Sequence, residues 1–256
     1  MKINEVKFEG LKLRGIPMLI FNILLLIVSC WVFVWAVSTD LPTALKTILI
    51  VVSCVLFSLN CLFWNGFMEI EPNDARVMIF FGKYEGTIKE NGYFWVNPFY
   101  SKKRLTLRAR NLDAEPIKVN DKAGNPVLIG QIIVWRVVDT YKASFHIDNA
   151  SKSVVSTQQK ADNVGDKMKS YEYFVKVQSD AALRYVAGMY TYDQTEDVNA
   201  KITLRSGGEE INEILEKQIN ERLSIAGIEV IEARINYLAY APEIAAVMLR
   251  RQQADA

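Results

Sequence analysis

Hydrophobic positions in the first seventy residues come in long blocks, not in a short repeat. No charged residue occurs from Gly15 to Thr39, and none from Thr47 to Met68. Each block exceeds the ~20 helical residues needed to cross a hydrocarbon core of about 30 Å. The connection, "STDLPTALK" (Ser38 to Lys46), is polar and contains a proline. The pattern predicts two transmembrane helices, about 15–39 and 47–68, behind an N-terminal segment, 1–14. A signal peptide shares the basic start (Lys2, Lys7, Lys12, Arg14), but its apolar run is about 7–15 residues. Here a second span follows at once.

Beyond Met68 the period changes. Pro72, Asn73 and Asp74 mark a turn, and "ARVMIFF" reads as a strand stopped by Gly82. Asn91-Gly92 predicts a hairpin, because both residues accept positive φ. "YFWV" and the alternating "RLTLRAR" (Arg104 to Arg110) follow as strands. "VLIGQIIVWRVVD" (Val127 to Asp139) is continuously apolar and is expected to be a central strand covered on both faces. A β-rich first subdomain, 69–138, results. Asp139 is placed to cap a short helix. Residues 148–170 are polar and read as a surface excursion. In "YEYFVKVQSDAALRYVAGMY", Phe174, Val177, Ala181 and Tyr185 recur at helical spacing. Ser206 with Glu209 suggests a capping box before the stripe Ile211, Leu215, Ile219, Leu223, Ala226 and the stop Gly227. A strand, 228–238, and a helix opened by Pro242 complete an α/β second subdomain, 139–240, and a C-terminal helix, 241–256. The polar end of that helix, Arg250 to Gln253, suits either self-association or solvent. The fold class is α+β behind a transmembrane hairpin.

Charge orients the chain. Four bases precede the first span and only Lys46 lies in the outer turn, while Arg76, Lys83 and Lys89 follow the second span. The positive-inside bias puts both soluble parts on the cytoplasmic side. Trp35, Trp64 and Phe67 suit the headgroup belts as interfacial anchors. Lys plus Arg number 30 and Asp plus Glu 29, so no global charge directs the protein to nucleic acid. Cys30, Cys54 and Cys61 all lie in the spans and read as small apolar residues. The one histidine, His146, makes neither a zinc site nor a Ser-His-Asp set. No phosphate loop occurs, so no catalytic, metal or cofactor site is expected.

Surfaces remain. Tyr93, Phe94, Trp95, Phe99 and Tyr100 crowd a short stretch. Strand alternation sends some of these rings into a β core and the others outward, where aromatics near a bilayer occupy the headgroup layer. Lys102, Lys103, Arg104, Arg108 and Arg110 follow without an acid. They read either as a solvated strand face or as bases drawn to anionic lipid at about 1 kcal/mol each. The expected membrane contact is Phe94, Trp95, Pro98, Phe99, Tyr100, Lys102, Lys103 and Arg104.

"EPNDARVMIFFGKYEGTIKENGYFWVNPFY", "LRARNLDAEPIKVNDKAGNPV", "IVWRVVDTYKA", "VQSDAALRYVAGMYTYD" and "GIEVIEARINYLAYAPEIAAVMLRRQQA" together resemble the SPFH or Band 7 group of stomatin, prohibitin and flotillin, over roughly Phe67 to Ala254. The resemblance implies a two-part domain whose first half lies against the membrane. It also implies a non-enzymatic scaffold that self-assembles, organises lipid microdomains and modulates membrane proteins. An alternative is a dedicated regulatory subunit of one membrane protease or channel, contacted through 148–170, which looks like an insertion. Relatives continue into a longer coiled-coil tail, so either assemblies smaller than a cage or a longer parent chain is expected. The expected partners are lipid, further copies of the chain and a membrane protease or channel. The compact chain is expected as a two-pass protein of a bacterial inner membrane.

Overall fold

In the computed structural model, described for residues 5–40, 42–147, 164–193 and 202–254, the chain divides into two compact units, Met1–Thr106 and Leu107–Ala256. The division falls 32 residues before the expected boundary at 138/139, because strands assigned to the first part pair with a strand of the second.

The first unit opens with a short strand, β1 (Lys12–Arg14), within the N-terminal segment 1–14, where no element was expected. Helix α1 (Gly15–Ser38) and helix α2 (Thr43–Trp64) follow. At 1.5 Å per residue they are about 36 and 33 Å long, and both are apolar enough to cross a membrane. Ile16, Ile20, Trp31 and Val34 on α1, with Ile48 and Val51 on α2, stand more than half exposed. Apolar side chains left uncovered in such number fit a membrane protein. The inward seam is small and polar. Gly15, Asn22, Ser29 and Ala36 are buried on α1 at intervals of seven, as are Ser53 and Asn60 on α2. A seven-residue seam of small residues lets two antiparallel helices approach closely along their length. Asn60 Nδ2 donates to the Asn22 carbonyl at 2.9 Å. Lys46, read as part of the turn, lies inside α2 and donates from Nζ to the Val37 carbonyl at 3.0 Å, capping α1. Helix α2 also ends four residues early, because Asn65 and Gly66 stop it and Phe67 enters a strand.

Two three-stranded sheets follow. In the first, β5 (Gly92–Val96) lies between β1 and β2 (Phe67–Ile70). In the second, β3 (Asp74–Phe80) lies between β4 (Lys83–Ile88) and β6 (Tyr100–Thr106). Asn91-Gly92 is therefore not a hairpin turn. It carries the chain from one sheet to the other, and Gly92 supplies the positive φ of 140° for that crossing. The hairpin turn is Phe81-Gly82, with φ of 45° and 90°. The segment Arg104 to Arg110 is not one strand either: it ends β6 and begins β7. Phe8, Met68, Ile70, Met78, Ile88 and Val96 form the core of this unit. Phe8 reaches it because the N-terminal arm lies along β4, with Phe8 N donating to the Thr87 carbonyl at 3.2 Å. A Cβ on Gly86 would stand 2.6 Å from Phe8 Cα, so only glycine leaves a seat for the arm.

The second unit is one antiparallel sheet, β7 (Arg110–Asn120), β8 (Pro126–Val137) and β9 (Ile228–Tyr240), with β8 central. One face of β8 is closed: Val127, Ile129, Ile133, Trp135 and Val137 are buried. On the other, Ile132 is 37 % exposed and Arg136 is exposed, so the expected cover on both faces is not complete. Helix α3 (Thr140–Phe145) is capped by Asp139, whose carboxylate accepts from Lys142 N. Helix α4 (Val164–Ala187) begins inside the expected excursion 148–170. Met168 is buried in the core, which carries the helix back two turns from Tyr171. Residues 148–163 lie outside the described residues. The buried stripe of α4 is Met168, Tyr171, Val175, Ala182 and Val186; Val177 and Tyr185, two of the four residues noted for their helical spacing, are 44 % and 53 % exposed. Helix α5 (Gly208–Leu223) buries Ile211, Leu215, Ile219 and Leu223, and Gly227 closes it at φ 67° after a 3₁₀ turn. Its capping box does not form: the N-cap is Gly207, and Ser206 Oγ instead lies 2.8 Å from Thr203 Oγ1. Helix α6 (Pro242–Ala254) ends the described chain.

Candidate membrane-facing surface

The first sheet sits at the root of the hairpin, and its register sorts its faces. Opposed residues in an antiparallel pair share a face. Leu13 and Phe67 both pair with Trp95, and Glu69 pairs with Tyr93. Leu13, Phe67, Glu69, Tyr93 and Trp95 therefore share one face, while Met68, Ile70, Phe94 and Val96 share the other, towards the core. The first face meets the helices. Trp95 Nε1 donates to the Phe63 carbonyl at 2.9 Å, and the Phe63 and Trp95 rings meet edge-on at 5.8 Å. Val96 N donates to the Gly66 carbonyl at 3.0 Å. Tyr93 stacks on Phe67 at 5.5 Å, and Phe67 lies 5.8 Å from Trp64. Two glycines permit this seat. A Cβ on Gly15 would lie 2.1 Å from the Tyr93 ring, and one on Gly66 would lie 2.3 Å from Trp95 Nε1.

The expected contact residues part company here. Trp95 is 6 % exposed and serves as the bolt between sheet and helix, so it is not a lipid-facing ring. Phe94 packs half-buried on the core under Lys12, whose Nζ lies 4.9 Å from its ring centre. Arg104 is held by Asp74 at 2.6 Å and Glu71 at 2.8 Å. Those two hydrogen bonds, Asp74 first, raise its pKa. Lys102 donates from Nζ to the Asn65 carbonyl at the end of α2; burial, then the charge of Arg76, lowers its pKa. Arg76 itself donates to the Glu69 carbonyl at 3.0 Å, and burial lowers its pKa too. Lys102 and Arg104 thus brace the sheets and the hairpin root, and Lys103 is half-buried.

Pro98, Phe99 and Tyr100 belong to a different feature. Asn97, the residue after Val96, turns the chain, its Oδ1 accepting from Phe99 N at 3.0 Å. Phe99 is 56 % exposed and stacks with Phe81 at 6.4 Å. Phe81, at the tip of the β3–β4 hairpin, is 82 % exposed. Behind them Phe80 lies 4.7 Å from Phe81 and 5.1 Å from Tyr100. Phe80 pairs with Tyr100, two positions along from Met78 and Lys102. The aromatic tip therefore stands about 7 Å along the strands from the lysine that touches the end of α2.

Chain reading missed Phe81. Its signal was "FFG", a two-residue turn with a phenylalanine where φ is positive. A bulky side chain there is a strained outlier, and it costs further by standing uncovered. Trp35 and Trp64 are 44 % and 42 % exposed near opposite ends of the hairpin. Trp64 Nε1 donates to Asn60 Oδ1 at 2.9 Å. His146 is remote from this surface in sequence and takes a local contact, its Nδ1 3.2 Å from the Ile225 carbonyl. Among the described residues, no group of three or more His, Cys, Asp or Glu could hold a metal ion.

The SPFH domain / Band 7 family model matches residues 68–256. No curated protein matches the chain.

Proposed function

The chain belongs to the SPFH domain / Band 7 family, and from that premise we propose that it is a non-catalytic scaffold, anchored by two membrane-spanning helices, that self-associates on the cytoplasmic leaflet. The family is generally membrane-associated and non-catalytic. One observation carries the reading furthest: the two β sheets are bolted to the root of an apolar hairpin, the first through Trp95 and the second through Lys102, with an aromatic tip beside them. A sheet fixed in that way cannot swing free of the bilayer, and Phe81, Phe99, Pro98 and Tyr100 are then held near the headgroup layer. The scaffold acts through number. Each copy has a modest lipid contact, and copies joined side by side gain avidity and define a patch of membrane in which other membrane proteins are held or excluded. On the positive-inside bias the loop between the helices lies outside and both soluble parts lie inside.

Extraction of the full chain in its native lipid, followed by electron microscopy and native mass measurement, tests the reading. Assemblies of many copies are expected. A monodisperse monomer under mild extraction overturns the scaffold.

A further inference from the structure

Helix α4 carries two apolar stripes, and among the described residues only one is used by its own fold. Tyr173, Val177 and Tyr185 are 58 %, 44 % and 53 % exposed. With the half-buried Ala181 they fall at strict intervals of four, the spacing of a helix-packing ridge. The row one residue earlier, Glu172, Lys176, Asp180 and Arg184, alternates in charge at the same interval. Both rows are mirror patterns. Turned end for end, the stripe reads Tyr, Ala, Val, Tyr, and the charged row reads with every sign reversed.

We propose that this face of α4 docks antiparallel on the same face of a second copy. In an antiparallel helix pair, residues one position before the seam on each helix lie on the same side and face each other. Tyr173 then stands level with Tyr185 of the second copy, and Val177 with its Ala181. Glu172 meets Arg184 of the second copy, and Lys176 meets its Asp180, each pair occurring twice by symmetry. A parallel pair would set the charged row against Phe174 and Gln178 instead. An unrelated partner gives no reason for the pattern to be its own complement; a second copy does. The row is already propped from its own side. Arg110 lies 3.9 Å from Glu172, Gln131 Nε2 donates to Asp180 at 3.4 Å, and Arg184 donates to the Lys118 carbonyl at 3.0 Å. One helix face is a small contact, and confinement of both copies to one membrane supplies the effective concentration it needs.

The inference deepens the self-association reading by naming one of its contacts. Its test uses the full chain in native lipid with Cys30, Cys54 and Cys61 replaced by alanine and Val177→Cys introduced. A short bismaleimide is expected to join two copies into a covalent dimer. Arg184→Glu sets two acids together and is expected to lower the dimer yield at least fivefold; adding Glu172→Arg restores it. No dimer overturns the proposal, as does a dimer indifferent to Arg184→Glu, a loss not rescued by Glu172→Arg, or a cross-link only to another protein. If large assemblies persist in any of those cases, the scaffold stands and this face falls.

Discussion

Phe81 and Trp95 exchange the roles that composition assigns them. Trp95 is the larger interfacial ring, yet its indole N–H is spent on a helix carbonyl inside the protein. Phe81 holds a positive φ and faces outward. The parity of a strand tells which rings share a face, and Tyr93 and Trp95 do. It does not tell which face meets a helix, because that depends on two glycines, Gly15 and Gly66, whose role appears only in three dimensions. Two outcomes follow at this scale. Phe81→Asn creates the Asn-Gly pair that such turns favour, and should raise the thermal stability of the detergent-solubilised chain by roughly 0.5–1 kcal/mol while weakening the lipid contact. In the second unit, Gln131 Oε1 is buried with no hydrogen-bond partner among the described residues, and burial raises the pKa of Asp180 beside it. Asp180→Asn offers a donor and removes a disfavoured charge. Denaturant unfolding at neutral pH should show a gain of up to about 1 kcal/mol, the net worth of one hydrogen bond.

At the level of elements, length and period located the two helices α1 and α2, the strands β3, β5, β8 and β9 and the α5 stripe, since long apolar blocks and strict spacing need no tertiary context. The misassignments share one cause. A local signal lost to a distant partner: Asn91-Gly92 yields to pairing with β1 and β2, Ser206 bonds Thr203 instead of capping α5, and Lys46 joins α2 to cap α1. On α4 two stripes compete, and residue types alone chose the exposed one. The arm before α1 shows the same dependence. Glu90 accepts hydrogen bonds from Lys12 and Lys7, which hold its pKa at about 2, below its ordinary 4.5. Because the folded value is the lower one, these contacts support the arm above about pH 4.5 and are lost as pH falls through 2. Glu90→Gln should remove that pH dependence from the Phe8 amide resonance, a small effect because the carboxylate is exposed and salt screens it. In the hairpin, Asn60→Ala removes the bonds to Asn22 and Trp64. It should weaken helix association by about 1–2 kcal/mol in bilayer unfolding measurements.

For the whole molecule, one family domain contributes to two compact units, and the hairpin belongs structurally to the first. The membrane anchor and the first β layers share hydrogen bonds, aromatic contacts and a strand from the chain ahead of α1. This is why the expected boundary at 138/139 moved: strands follow their pairing, not their composition. The central claim is that the first unit rests on the bilayer through the tip formed by Phe81 and Phe99. A spin label at Phe81→Cys, in the chain with Cys30, Cys54 and Cys61 replaced by alanine and set in native-lipid discs, measures this directly by collision with oxygen and with a water-soluble nickel complex. The account expects oxygen to dominate, as it does for a label within the headgroup or upper acyl layer. Free access to nickel, equal to that of a label in open water, would contradict it.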